Sequence, residues 1–214
     1  MIKKIHLEAK SDPEYDDDLF GERVKNSELV KMTKVFRQVA EDLNLKDNDF
    51  FIAGGSAREI YQGQPISKDV DVYFRSPQTL FKCIQNLKID IDYETANSWT
   101  ITGSNGYKID IIKNVKESIV SCLEAFDFTC CQYAFDSKYC YKSNETSDTE
   151  LIVNEKLADP LGTFYRVPRY IKKGFTISRH EMYKIAKAVR AMEESTFVSQ
   201  LEAIEKSSTE NGSR

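Results

Sequence analysis

Residues 50–74, FFIAGGSAREIYQGQPISKDVDVYF, constrain the fold of this chain more than any other segment. The apolar run Phe50–Ala53 ends in two glycines, a pattern typical of a buried strand that enters a tight turn. Ser56–Gln62 is predicted to form a helix that leaves this turn, and the alternation within Lys68–Phe74 predicts a second strand. The order strand, glycine turn, helix and strand favours a mixed α/β (α+β) fold.

The glycine turn has the features of a phosphate-binding backbone. Gly54 and Gly55 allow a ligand to approach the main chain closely, and the start of the helix at Ser56 adds positive potential. Arg58, one turn into that helix, adds a fixed positive charge. A glycine pair alone is more often a purely structural turn, so this interpretation depends on the acidic residues that follow.

Asp69 and Asp71 are two residues apart on the second predicted strand, so their carboxylates point to the same face. Like charges this close repel each other, and a bound divalent cation offsets that repulsion. Mg²⁺ (or Mn²⁺) is the expected ion, because Mg²⁺ binds carboxylate oxygens together with substrate phosphates. Asp110 lies in a further predicted strand, and pairing of the two strands would bring three acids to two metal ions, as in phosphoryl transfer. For the Asp-x-Asp pattern alone, a solvated strand face is the alternative.

These residues resemble the head of the nucleotidyltransferase superfamily, and most closely the head and neck of tRNA CCA-adding enzymes and bacterial poly(A) polymerases. The resemblance covers roughly residues 48–185. Its motifs are Ala-Gly-Gly-Ser-Ala-Arg at 53–58 followed by Glu59, Asp-Phe-Thr at 127–129, Asp-Pro-Leu at 159–161, Arg166 with Arg169, and Gly-Phe-Thr-Ile at 174–177.

The resemblance implies a nucleotidyltransferase-type mixed sheet flanked by helices and followed by a small helical neck. It also implies transfer of a nucleotide from an NTP such as ATP to an acceptor hydroxyl, with release of pyrophosphate. The implied catalytic and metal-binding residues are Asp69, Asp71 and Asp110, and the implied nucleotide-binding residues are Gly54, Gly55, Ser56, Arg58, Asp127, Arg166 and Arg169. The acceptor is expected to be an RNA 3′ end, tRNA-like or other, a protein side chain or a small molecule.

The chain departs from that family at three points. Phe126 stands where an arginine normally precedes Asp-Phe-Thr, and Gly162 stands where the family's neck carries a base-selecting arginine. The long helical body that follows the neck in the family is missing from the 214 residues, which predicts a compact head-and-neck protein. These departures support an alternative: a catalytically inactive nucleotidyltransferase-fold protein that binds a nucleotide or a protein within a defence or counter-defence system.

The remaining patterns divide the chain. We expect an N-terminal arm at 1–26, a nucleotidyltransferase head at 27–141, a helical neck at 142–205 and a flexible tail at 206–214. Ile2–Leu7 is either a strand docked on the body or part of a loose tail. Further helices are predicted at 27–44, 77–87, 117–126, 165–173 and 179–192, and further strands at 98–102 and 107–112.

Composition excludes several classes of protein. The chain is 41% hydrophobic and 30% charged, which is typical of a globular protein rather than a disordered one. The sequence shows neither a membrane span nor a secretory signal, so a cytoplasmic location is expected. A net charge of −4 argues against a dedicated nucleic-acid coat, although basic residues from Arg166 to Lys187 would suit a triphosphate, an RNA backbone or solvent. The five cysteines are expected to be reduced thiols in the core.

Overall fold

The computed structural model describes residues 1–7, 26–66 and 69–211. The chain divides into two compact units. The first comprises residues 1–123 and 131–144, and the second comprises residues 124–130 and 145–214. Residues 8–25 of the expected N-terminal arm lie outside the described residues, as does Lys68 of the predicted second strand.

A mixed sheet of eight strands forms the centre of the first unit, in the order β1-β8-β7-β2-β3-β6-β5-β4. β3 and β6 run parallel, whereas the other strand pairs of the described sheet run antiparallel. The strands are β1 (Ile2–His6), β2 (Phe50–Ala53), β3 (Asp69–Phe74), β4 (Tyr93–Glu94), β5 (Ser98–Thr102), β6 (Lys108–Ile112), β7 (Tyr133–Phe135) and β8 (Tyr139–Ser143). The expected α/β class with a mixed sheet is confirmed.

Helices accompany this sheet in the first unit and form most of the second. In the first unit they are α1 (Asn26–Asp42), α2 (Gly55–Tyr61), α3 (Pro77–Gln85) and α4, which begins at Ile119 and whose last residue, Glu124, belongs to the second unit. In the second unit they are α5 (Pro160–Lys172), α6 (Arg179–Arg190) and α7 (Glu194–Asn211). None of the helices in the described ranges combines the length and apolar composition of a membrane span.

The two faces of β3 have different environments, and this difference positions the candidate site. Val70, Val72 and Phe74 are fully buried, whereas the residues between them are only half-buried. Phe50 of β2 pairs with Phe74 of β3. The ring of Phe50 stacks on that of Phe36 of α1, with ring centroids 4.3 Å apart. The apolar face therefore packs against helix α1 and forms the core, which leaves the aspartates on the opposite face.

The structure corrects several predicted boundaries. β1 pairs with β8 over its whole length, so Ile2–His6 is the docked strand and not part of a loose tail. α5 begins at Pro160 instead of residue 165, because the Asp159 side chain caps it by accepting the amide N–H of Gly162. α7 was not predicted, and its last turns include residues 206–211 of the expected flexible tail.

All five cysteines are free and buried, as predicted. Burial raises the pKa of the thiols of Cys83, Cys122 and Cys140 to about 12. These thiols therefore remain protonated and act as small core side chains rather than as nucleophiles.

The raised thiol pKa values predict that the protein loses stability in alkali. Each thiol has a lower pKa when unfolded, so its contribution is complete below about pH 9 and is lost as the pH rises toward 12. The expected loss is about 1.4 kcal/mol per pH unit for each thiol above pH 9. Urea unfolding at pH 7 and pH 10 measures this loss, and Cys83→Ala should reduce it. Equal unfolding free energies at both pH values would contradict the prediction.

Candidate functional site

Three aspartates lie on one face of the two parallel strands. Asp71 of β3 and Asp110 of β6 are paired in register, and Asp69 follows the same alternation as Asp71. Residues paired across strands, and residues two apart along a strand, project from the same side of a sheet. All three are half-buried. The pairing on which the sequence argument depended is therefore present.

Two further side chains extend this acidic face. The hydroxyl of Thr100, which pairs with Asp110 from β5, donates a hydrogen bond to the Asp110 carboxylate. Lys108 is the register partner of Asp69, which places a cation beside the acids. Its ammonium donates to Asp92, at 2.9 Å, and to Thr102, at 2.7 Å. The hydrogen bond from Lys108 lowers the pKa of the Asp92 carboxyl.

Sequence reasoning missed Lys108 and Thr100. Alternation along β6 does place Lys108 on the same side as Asp110. Alternation within β6 does not say which strands lie beside it. In the structure β6 lies between β3 and β5, and only this placement puts Lys108 next to the acids. The position of the lysine opposite Asp69 therefore follows from the register and not from local sequence.

Helix α4 brings an apolar side chain near the acids. Burial is the main reason for the raised pKa of Cys122, and the negative charge of Asp71 raises it further against the opposing effect of Lys116. This electrostatic interaction shows that Cys122 lies within the field of Asp71. A protonated thiol at this position lowers the local polarity without competing for a cation.

The acidic face suits a hard cation in its chemistry. Carboxylate oxygens are the ligands that Mg²⁺ takes, and Mg²⁺ is commonly held by one or two carboxylates plus substrate phosphates. Among the described residues, no three Asp, Glu, His or Cys side chains converge as a ready-made metal site.

The glycine turn joins β2 to α2. Gly54 has φ 95° and ψ −149°, a conformation that is restricted almost entirely to glycine. Its N–H donates to the carbonyl of Tyr133 at 2.9 Å, which ties the turn to β7. Apart from its chain neighbours and the backbone of its own helix, a Cβ atom added at Gly55 would meet no atom of the described residues within 4 Å. The backbone at Gly55 therefore borders open space, as a bound phosphate would require.

Ser56 and Arg58 follow this turn inside the fold. Ser56 is 4% exposed, and its Oγ has no hydrogen-bond partner among the described residues. A buried hydroxyl without a partner is costly and points to a group outside the protein chain. Arg58 is 6% exposed, so its guanidinium lies within the first unit.

The predicted nucleotide-binding residues of the neck lie in the second unit. The guanidinium of Arg166 bridges two carboxylates, with Nε 2.5 Å from Asp127 Oδ2 and an Nη atom 3.2 Å from Asp159 Oδ2. Burial opposes the charged form, but the two aspartates outweigh it and raise the pKa of Arg166. Arg169 is exposed on the same helix. In the structure, Arg166 and Asp127 are therefore partners of each other.

Gly162 has a packing reason to be glycine. A Cβ atom at this position would overlap the carboxylate of Asp159, which folds over the helix start to accept the Gly162 N–H. The arginine that the resemblance to CCA-adding enzymes leads one to expect at this position is incompatible with this cap. The Asp159 carboxylate also accepts a hydrogen bond from Arg166, which lies seven residues, about two turns, further along the chain.

Comparison with known proteins gives a family match over more than half of the chain. Residues 25–153 match the family model described as Gabija anti-defense 2 family protein. A curated relative from Bacillus phage SPbetaL7, named Gabija anti-defense 2, is 29% identical over 169 residues. That alignment covers 71% of this chain and 40% of the relative, so the chain spans well under half of the relative's length.

Solved structures of CCA-adding enzymes resemble this chain at low identity. The Thermotoga maritima enzyme complexed with a tRNA is 16% identical, with a TM-score of 0.47 over 85% of this chain and 48% of that one. The Bacillus stearothermophilus enzyme in complex with CTP is 14% identical, with a TM-score of 0.48 over 82% of this chain and 48% of that one. This chain thus spans about half the length of each enzyme.

Proposed function

The chain belongs to the Gabija anti-defense 2 family. From this premise we propose that it counters the Gabija defence as a metal-dependent nucleotidyltransferase. The oxygen of an acceptor hydroxyl attacks the α-phosphorus of an NTP. The bond between that phosphorus and the bridging oxygen to the β-phosphate breaks, pyrophosphate leaves, and the hydroxyl proton passes to solvent. The product is an acceptor that carries a nucleoside monophosphate.

One observation carries this proposal: the register that pairs Asp71 with Asp110 and places Asp69 on the same face. Three acids on one face repel one another, and a divalent cation bound between them would offset that repulsion. The ammonium of Lys108, the register partner of Asp69, is held by Asp92 and Thr102. Carboxylates placed in this way can hold divalent cations against substrate phosphates, which is what phosphoryl transfer requires.

Each aspartate has a separate task in this proposal. Asp69 and Asp71 would hold Mg²⁺, or Mn²⁺, together with the triphosphate, and Asp110 would orient the acceptor hydroxyl. The metal supplies charge neutralisation at the phosphates and activates the attacking oxygen. The hydroxyl of Thr100 holds the Asp110 carboxylate in one orientation. Orientation of the attacking group is worth several orders of magnitude in rate.

The glycine turn is proposed to hold the phosphates. The open backbone at Gly55 offers a close approach, and the buried Ser56 hydroxyl offers a donor that the described residues leave unused. A phosphate oxygen accepting from Ser56 would satisfy that hydroxyl. In the second unit, Arg169 is exposed, whereas Arg166 is already shared by two carboxylates.

The direct experiment is incubation with each of the four α-³²P-labelled NTPs and Mg²⁺ or Mn²⁺. The acceptors are total RNA and the purified proteins of the Gabija defence, tested separately. The control is the variant Asp69→Asn/Asp71→Asn. Label that moves to one acceptor class and is lost in the control supports the proposal. Absence of label with every nucleotide and acceptor contradicts it.

A second candidate function is nucleotide binding without transfer. Lys108 favours it, because a lysine beside Asp69 can neutralise a carboxylate or a phosphate where a second metal ion would otherwise be required. Lys108→Gln separates the two candidates. A binding module should lose affinity for the NTP, whereas a transferase that relies on metal ions should keep most of its transfer rate.

A further inference from the structure

Helix α5 presents a stripe of apolar side chains to solvent. Phe164, Pro168 and Ile171 are spaced four and three residues apart, so they lie along one face of the helix. Phe164 is 47% exposed and Ile171 is 51% exposed, and Pro168 is also exposed. A contiguous apolar stripe at helical spacing that stays open is typical of a protein-docking surface.

A second stripe runs beside the first. Tyr165, Arg169 and Lys172 have the same spacing, one residue further along, and all three are exposed. The ring of Tyr165 meets that of Phe164 edge-on, with centroids 5.9 Å apart and an interplanar angle of 88°. The α5 surface, defined by these two stripes, therefore combines aromatic, aliphatic and cationic groups. Aromatic residues and arginine are the types most enriched where protein interfaces gain their binding energy.

The charged side chains of helix α5 itself have one sign. Residues 160–192 contain eight lysines and arginines and a single acid, Glu181, in a chain whose net charge is −4. Glu181 is buried, where it accepts the N–H of Val153 at 2.6 Å and pairs with Lys184 at 2.8 Å. It therefore contributes little negative charge to the surface. Glu193 and Glu194, which follow this range, are exposed acids, but the exposed charges of α5 itself, Arg169 and Lys172, are positive and favour an acidic partner.

We infer that the α5 surface docks an acidic protein of the Gabija defence that carries an exposed apolar ridge. This identification of the partner rests on the proposed function, since the docked protein would carry the hydroxyl that accepts the nucleotide, or would hold the molecule that carries it. The apolar stripe decides between protein and nucleic acid. Ile171 and Pro168 gain energy only by burial against apolar groups, which a phosphate backbone does not offer.

The aromatic geometry supports the same choice. Single-stranded nucleic acid is bound by aromatic rings that present a flat face to each base. Phe164 and Tyr165 instead meet edge to face, so the two rings do not form a continuous platform. Such a pair is suited to fill a pocket on a protein surface.

The experiment measures binding of the purified full-length chain to each purified protein of the Gabija defence, at two salt concentrations. The test variants are Ile171→Glu, Phe164→Glu and Lys172→Glu. The matched controls are Phe81→Glu and Lys82→Glu on α3, where Phe81 is 62% exposed. We expect one defence protein to bind, and the apolar test variants to weaken it at least about 30-fold. Lys172→Glu should reduce the salt dependence, and the controls should bind like the unaltered chain.

Three outcomes would overturn the inference. The first is that no defence protein binds. The second is that binding occurs but the test variants leave it unchanged. The third is that the test variants leave binding to the defence protein intact but abolish either binding of a labelled single-stranded oligonucleotide or self-association of the chain. Equal melting temperatures by circular dichroism show that a variant is folded. The variant Asp71→Asn separates this inference from the proposed function, since it should keep partner binding even if no nucleotide is ever transferred.

Discussion

Asp71→Asn is expected to lower the rate of nucleotidyl transfer by about a thousand-fold, the size of effect seen when a group that stabilises transition-state charge is removed. Asparagine keeps the shape of the side chain, so β3 should still pair with β6. The change removes one negative charge from beside Asp110 and Asp69. Repulsion on this face should fall, so the free energy of unfolding should stay the same or rise. Rates are measured by label transfer and stability by urea unfolding.

A matched control separates the site from general charge effects. Asp90→Asn removes the same charge from an exposed residue outside β3 and β6, and it should leave the rate unchanged. A tenfold or smaller loss in Asp71→Asn would show that the paired acids do not perform the transfer. A fall in the stability of Asp71→Asn would show that the carboxylate is a structural group. A loss of activity in that variant would then not be evidence for a catalytic role.

The second large effect concerns the glycine turn, where neighbouring glycines should respond differently. Gly54→Ala forces a side chain into φ 95° and ψ −149°, which is expected to cost about 1–3 kcal/mol of stability. Gly55→Ala meets open space and should leave the unfolding free energy within about 0.5 kcal/mol. If phosphates approach at Gly55, the added methyl group should weaken NTP binding by at least about tenfold in a fully folded protein.

This pair of variants tests the phosphate assignment through a protein that remains folded. Binding of a fluorescent NTP analogue, measured for the unaltered chain and for Gly55→Ala, gives the affinity ratio. Thermal unfolding of both glycine variants gives the stability difference. Unchanged NTP affinity in Gly55→Ala would place the phosphates elsewhere, and a stable Gly54→Ala would show that the turn tolerates another conformation.

Much of the sheet could be predicted from local sequence, because its strands alternate or are bounded by glycine. β2 lies where the apolar run predicts it, and β3 begins at the first described residue of the predicted strand. β7 and β8 were missed because Tyr133–Phe135 is buried on both sides, which removes the alternation that marks a half-buried strand. β8 likewise buries Cys140 and Lys142, so its pattern is not a simple alternation of apolar and polar residues.

The helices of the second unit were harder to predict for two local reasons. α5 starts with Pro160 and contains Gly162, both of which disfavour a helix interior, yet proline is suited to the first turn and the glycine makes room for the Asp159 cap. α7 has a weak apolar pattern, which leaves little periodicity to read in its sequence. In both cases the contacts of a cap or a neighbouring helix outweigh the intrinsic propensities.

In the candidate site, too, some features could be predicted from local sequence and others depend on contacts between distant parts of the chain. Asp69 and Asp71 share a face because they are two residues apart, and that needs no knowledge of the fold. The placement of Asp110 beside Asp71 depends on a parallel pairing between strands that are separated by a helix and two other strands. The ion pair of Arg166 with Asp127 joins residues 39 positions apart, and no local pattern encodes it.

The most direct test of the central claim is the amount of pyrophosphate formed per molecule of labelled acceptor. Purified chain, Mg²⁺, the NTP and the acceptor identified by labelling are incubated together, and both products are quantified over time. The account predicts that pyrophosphate and labelled acceptor accumulate in equal amounts and that both disappear in Asp71→Asn. An NTP that binds to the chain without any release of pyrophosphate would contradict it and would assign the acidic face to binding alone.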